Sequence, residues 1–152
     1  MSDHRISLSW NREEKPFTYK EFSRDHHVDF GHGVTVRASA ATEYLGTAEL
    51  ADPEQAFVAS LSSCHMLTFL AFCSLQNLTL ESYTDNAVGF LEKGENGKPV
   101  LARVELYPKT TFAEGVEVSP EQLKALHQKA HQECFLANSV LTKIETILDQ
   151  PE

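Results

Sequence analysis

The stretch from Ala56 to Leu75 contains no glycine, no proline and no formal charge. It is entered through Asp52-Pro53-Glu54-Gln55. Those four residues spell a helix start: an Asp N-cap, Pro at the first helical position, a carboxylate in the first turn, and Gln where a capping box wants it. A helix of roughly 24 residues spans roughly 36 Å, and one that is apolar nearly all round must be buried on most of its faces. A chain of 152 residues is too small to wrap such an element alone, so a partner helix is predicted.

The remainder of the composition limits what can surround that helix. At this length the chain makes one domain, residues 1–152, burying roughly two thirds of its unfolded surface, enough for a core without metal or disulfide staples. Thirteen Lys plus Arg against 22 Asp plus Glu give a formal charge of −9, which supplies no field to gather phosphate backbones or anionic lipid heads. Nucleic acid and membrane partners are therefore disfavoured. No uninterrupted apolar run approaches the ~18 residues of a membrane span, and the first residues, with Asp3, His4 and Arg5, lack the apolar centre of a signal peptide. A cytoplasmic location is expected. Three cysteines argue against a secreted disulfide framework and for thiols kept reduced, or used, inside a cell.

Elsewhere the periodicity is that of strands, with one further helix. Ile6, Leu8 and Trp10 alternate with polar residues, and Phe17, Tyr19, Val28, Phe30, Val34 and Val36 supply strand formers around a Gly31-His32-Gly33 turn. Ala38 to Asp52 reads as a loop of functional or mobile length. Asn96-Gly97 marks a hairpin tip between a segment ending near Lys93 and one carrying Val100, Val104, Leu106 and Tyr107. Ser119-Pro120-Glu121-Gln122 opens a second helix with Leu123, Leu126, Ala130 and Cys134 on one face, ending near Cys134. Ile144, Thr146 and Leu148 predict a last strand before a tail at Pro151. Strands, buried helix, hairpin, helix and strand make an α+β protein.

The chemistry-bearing residues gather on the helices. Cys64 lies on one face with Phe57, Leu61, Thr68, Ala71 and Leu75, and as a bare buried cysteine it reads as a small core hydrophobe. Its neighbours Ser60, Ser62, Ser63 and His65 bring hydroxyls and an imidazole into an apolar element, which is the make-up of a site. Cys73 is nine residues on, about 13.5 Å away and on the opposite face, whereas a disulfide tolerates about 4.4 to 6.8 Å between Cα atoms. Cys73 is a packing residue, and Cys134 is the remaining possible intrachain partner or else core in its own right.

A reactive thiolate needs a cation or a helix N-terminus, and mid-helix placement denies Cys64 the second. Arg24 and Arg37 are the upstream candidates, and Glu54 is a carboxylate able to fix a guanidinium. Glu54 lies roughly 15 Å along the helix from Cys64, so the two meet only if two copies pack antiparallel. Alone, Glu54 is simple helix-start electrostatics. His127, His131 and Cys134 fall at i, i+4 and i+7, which imitates a zinc face that Cys64 or His65 would complete. Its bland counterpart is a set of solvated histidines.

The block Asp52-Pro53-Glu54-Gln55-Ala56-Phe57-Val58-Ala59 leading to Ser63-Cys64, followed by Ala130-His131-Gln132-Glu133-Cys134, resembles the OsmC/Ohr family of thiol peroxidases, and the order of elements agrees. The resemblance implies antiparallel sheets around a long buried helix, in an intertwined homodimer with active sites at the subunit interface. It also implies reduction of organic hydroperoxides, and less efficiently of hydrogen peroxide, in oxidative or osmotic stress defence, with no bound cofactor or metal. By position, Cys64 corresponds to the peroxidatic cysteine and Cys134 to the resolving one. Glu54 corresponds to the carboxylate and Arg24 to its guanidinium partner, both reaching the thiol from the other subunit, with Arg37 as the alternative arginine. A dithiol such as a lipoyl group would restore the pair, and Phe57, Leu61 and Phe69 would line an apolar substrate pocket. The chain departs from the family pattern at His65, where an aromatic is common, and at Phe135, where Pro is common. That places it in an OsmC-like branch, for which a metal-binding or non-catalytic small-molecule-binding dimer is the alternative.

Overall fold

The computed structural model describes residues 2–148 as two compact units, divided at Ala56/Phe57. The predicted tail at Pro151 lies outside the described residues.

The first unit is an antiparallel three-stranded sheet of β1 (Ser7–Ser9), β2 (His26–Asp29) and β3 (Thr35–Ala38), in the order β1-β2-β3. The Gly31-His32-Gly33 turn has three successive positive φ angles, 82°, 55° and 81°, a conformation that favours glycine at its flanks. Phe17 and Tyr19, expected in strands, instead lie outside any strand in the segment before β2, Tyr19 in a turn. Their region is organised by side chains: Trp10, Phe17 and Phe22 make an aromatic cluster with centroids 5.6 to 6.5 Å apart, and Trp10 Nε1 donates to Ser23 O at 2.7 Å. The loop after β3 is tied down. Ser39 Oγ and Thr47 Oγ1 donate to Asp25 Oδ1 at 2.9 and 2.7 Å, and Ser39 is fully buried. The Thr47 hydroxyl is the main cause holding the Asp25 carboxyl below its usual range.

Helix α1 runs Pro53–Leu75 and begins as the sequence requires. Gln55 N donates to Asp52 Oδ1 at 2.7 Å while Asp52 N donates to Gln55 Oε1 at 3.1 Å, a reciprocal capping box. It ends on Asn77 at φ 56°, with Leu78 N bonded to Cys73 O, a left-handed C-terminal cap. Within this chain its burial is narrower than expected: only Leu61, His65, Phe69 and Cys73 are buried, while Leu67 and Leu75 are 60% and 77% exposed. One copy supplies partners for a single i, i+4 stripe, and the helix is apolar beyond it. A further correction concerns its length and hydropathy. Ser60, Ser62, Ser63, His65 and Thr68 interrupt any unbroken apolar run, yet the best 18-residue window averages a hydropathy of 1.7, enough by length and composition to cross a membrane.

The second unit holds β4 (Leu80–Asp85), β5 (Val88–Lys93), β6 (Pro99–Leu106), β7 (Pro108–Phe112), α2 (Pro120–Glu133) and β8 (Lys143–Thr146). β5 and β6 form the hairpin predicted at Asn96-Gly97, with Gly97 at φ 76°. β4 pairs antiparallel with β7. β8 joins β6 in parallel, Val104 opposite Ile144, because the α2 crossover returns the chain in the same direction. The strand stops at Thr146 and does not include Leu148. α2 is capped by Ser119, whose Oγ accepts from Gln122 N at 3.1 Å.

Two cores result. Phe69 and Cys73 pack with Leu126 and Ala130, joining α1 to α2. Leu61 packs with Val104 and Leu106, joining α1 to the β5-β6-β8 sheet. Leu61 and Phe69 are thus 2% and 0% exposed and do not line an open pocket, because the face expected to receive substrate is the face that α1 lays against the rest of its unit.

Candidate active site

The seam between α1 and α2 carries the unit's chemistry. Cys64 projects half-buried from the middle of α1, and Cys134 caps the C-terminus of α2 with 1% exposure. Seventy positions apart in sequence, their sulfurs lie 2.8 Å apart, the Cys134 thiol donating to Cys64 Sγ. Both are free thiols, and their sulfurs are in direct contact. Burial, then the contact with Cys64, pushes the Cys134 thiol up from its usual range. Cys73 is 1% exposed in the Phe69 core and burial raises its pKa, as befits a packing thiol.

Two polar ties hold the first cysteine's turn. Thr68 Oγ1 donates to Cys64 O at 2.8 Å. Ser62 Oγ donates to Asp85 Oδ2 at 2.5 Å, and Asp85 Oδ1 accepts from Tyr107 N at 2.7 Å, so one carboxylate links α1, β4 and the junction between β6 and β7.

Deeper in the seam, His65 and His127 meet edge to edge. His65 Nε2 and His127 Nδ1 are 3.0 Å apart with ring planes 1° from parallel, and His127 stacks on Phe69 at 4.1 Å. Each is 2% exposed. Desolvation is the main cause that lowers His65 to about 4 and His127 to about 3, so both are neutral at pH 7. This geometry replaces the zinc face: His127 spends Nδ1 on His65, and among the described residues no group of three or more His, Cys, Asp or Glu is disposed to hold a metal ion. The pairing was not foreseen. Its signal was present in two histidines on apolar stripes, His65 between Leu61 and Phe69, and His127 beside Leu126 and Ala130.

The first unit holds the remaining candidates. Arg24 Nη1 donates to Phe22 O at 2.5 Å and Nη2 to Tyr19 O, with the guanidinium 3.7 Å over the Phe22 ring. It borders a cavity of about 430 Å3 with Trp10, Phe17, Phe22, Ser39 and Pro53. Arg37 pairs with Asp25 at 3.6 Å, and Glu54 stands half-buried in the first turn of α1. Within the single chain, Arg24 is engaged by backbone carbonyls and Arg37 by Asp25, and among the described residues neither is bridged to Glu54.

The OsmC-like protein family model matches residues 46–149, a span that contains both cysteines. An OsmC-like protein of unknown function from Vibrio cholerae is 41% identical over 97% of this chain and 99% of that one, with a TM-score of 0.93. Organic hydroperoxide resistance proteins from Elizabethkingia anophelis and Bacillus subtilis share the fold at 21% and 18% identity, with TM-scores of 0.69 and 0.64. They cover 95% and 96% of this chain and 94% and 98% of their own. A search of curated proteins found no match. The match across 46–149, together with the close Vibrio relative, makes this chain a member of the OsmC-like family.

Proposed function

We propose that this protein is a cysteine-dependent peroxidase that reduces organic hydroperoxides through Cys64 and Cys134. The observation that carries the reading is the 2.8 Å contact between two free sulfurs from different helices. Thiols placed this way convert an oxidised sulfur into a disulfide without a partner protein. Membership of a family whose structural relatives include organic hydroperoxide resistance proteins supports the choice of substrate.

In this reading the Cys64 thiolate attacks a peroxide oxygen. An S–O bond forms, the O–O bond breaks, and the alkoxide takes a proton to leave as alcohol. The Cys134 sulfur then attacks the sulfenic acid, forming the S–S bond and releasing water. A dithiol, such as a lipoyl group on a carrier protein, reduces the disulfide by exchange. Arg24 stabilises the thiolate and orients the peroxide, and Glu54 aligns Arg24, both supplied to Cys64 by a second copy of the chain. That homodimer covers the apolar surface of α1 around Leu67, and the two units of each chain serve as one functional domain. The role is cytoplasmic defence against oxidative or osmotic stress.

Intact-mass spectrometry after one equivalent of cumene hydroperoxide tests this. The wild type is expected to lose two hydrogens localised to Cys64 and Cys134, Cys134→Ser to gain one oxygen and stall, and Cys64→Ser to consume no peroxide. An unchanged wild-type mass with both thiols accessible defeats the reading.

A further inference from the structure

Among the described residues, two hydrogen bonds cross from α1 to α2 and its C-terminal residue. One is the contact between Cys64 and Cys134, and the other joins His65 Nε2 to His127 Nδ1 at 3.0 Å. They leave α1 from adjacent positions, Cys64 and His65. The core of the seam is apolar, with Phe69 and Cys73 against Leu126 and Ala130. Apolar contact is non-directional, so it rewards burial without fixing one register. A hydrogen bond fixes both a distance and a direction. Here the two rings lie 1° from parallel, each residue is 2% exposed, and Phe69 stacks on His127 at 4.1 Å. Cys134 bonds to α1 through its sulfur, whereas its backbone is extended, at φ −70° and ψ 116°, and bonds to its own helix and the turn that follows. Cys134 N donates to His131 O at 3.4 Å, Asn138 N to Cys134 O at 3.1 Å, and Asn138 Nδ2 to Gln132 O at 2.9 Å. The Cys134 sulfur therefore travels with the end of α2, whose place is set by how α2 seats on α1.

We propose that the hydrogen bond between His65 and His127 is the pin that keeps the Cys134 sulfur against Cys64, which makes both histidines positioning residues for disulfide formation. This rests on the peroxidase reading above for its oxidant, but the pin acts on the thiol pair whatever oxidises it. In the disulfide-forming step the Cys134 sulfur attacks the sulfur of the Cys64 sulfenic acid, the S–S bond forms, the S–O bond breaks and water leaves. The imidazoles exchange no proton in that step. Their part comes before it: in the dithiol form their bond holds α2 in the register that brings the two sulfurs into contact. Once the S–S bond has formed, that bond holds the register by itself. Loss of the pin therefore loosens the dithiol form more than the disulfide form, and the closing equilibrium shifts toward the open thiols. Linkage makes the effect reciprocal, so disulfide and pin each favour the other. An apolar pair in their place would keep the seam closed without choosing its register, the distinction between adding stability and specifying one arrangement.

Equilibration of the whole protein in glutathione buffers, quenched with acid and read by mass spectrometry after alkylation, tests the assignment. Oxidised glutathione takes the two thiol hydrogens and becomes two reduced glutathiones while the S–S bond of Cys64 and Cys134 forms. His65→Leu and His127→Phe are each expected to lower this equilibrium constant about tenfold, the scale of a lost alignment, which raises the reduction potential by about 30 mV. The double variant should add little to either, because both remove the same bond. His65→Gln and His127→Asn, whose amides carry a polar atom where the bonded ring nitrogens stand, should each recover part of the loss. Leu126→Ala is the comparator: it weakens the same seam with no hydrogen bond to lose. It should lower the urea midpoint of dithiol and disulfide forms alike and leave the glutathione equilibrium within about twofold of wild type. Equilibria unmoved in the histidine variants, or moved as far by Leu126→Ala, overturn the pin and leave the peroxidase reading standing. Rapid quench with cumene hydroperoxide separates the two claims. In His127→Phe the disulfide should follow the sulfenic acid about tenfold more slowly. A wild type that forms no sulfenic acid overturns the peroxidase reading, while the glutathione equilibria still decide the role of the histidines.

Discussion

His65 and His127 share one hydrogen bond in a place where neither accepts a second proton easily. Both have folded-state values, about 4 and about 3, below their ordinary 6.5. Between those limits the unfolded chain binds more protons than the folded one, so stability rises with pH across the window. It is therefore expected to be flat above about 6.5 and to fall progressively as the pH drops toward 4, by on the order of a few kcal/mol. Urea denaturation at a series of pH values checks this, and a double His65→Leu/His127→Phe variant is expected to flatten the slope. An equal slope in the variant would place the proton uptake elsewhere. Cys64 was legible in the sequence because hydroxyls and an imidazole surround it on an apolar helix. The contact with Cys134 was legible only as a possibility, since periodicity fixes which face a side chain takes and not what lies opposite. For the same reason His65 and His127 were each visible, and their bond was not.

At the scale of elements, local rules were the most readable. Both helix starts, Asp52-Pro53-Glu54-Gln55 and Ser119-Pro120-Glu121-Gln122, carry the capping bonds that their residue types require, because those contacts span three residues and need no tertiary partner. Removing one, by Ser119→Ala, is expected to cost about 1 kcal/mol, measurable as a lower urea midpoint with the slope unchanged. Phe69→Ala should cost about 3 to 5 kcal/mol, since Phe69 is fully buried between Cys73, Leu126 and Ala130, and a loss below 1 kcal/mol would mean that the seam closes up around the gap. Strand content was readable, but strand partnership was not. Phe17 and Tyr19 have strand propensity, yet serve an aromatic cluster and a turn, and nothing in Ile144 or Thr146 declares that β8 will lie parallel to β6.

For the whole molecule, the decisive property is the apolar surface that α1 leaves uncovered. Its buried stripe has four members, and Leu67 at 60% exposure lies off that stripe. If a second copy covers this surface, Leu67→Glu should shift the protein toward monomer in analytical ultracentrifugation and lower peroxide turnover together, because Arg24 and Glu54 would no longer reach Cys64 from across the interface. A variant that stays dimeric and fully active would move the interface elsewhere. The parallel seat of β8 against β6 has an outcome of another kind. A polypeptide leaves the ribosome from its N-terminal side, so β6 emerges with one edge open and keeps it open until α2 and β8 have followed. Nascent chains stalled between Leu106 and Lys143 should accordingly expose that edge to chaperones or to one another, and release from such capture should coincide with the emergence of Thr146.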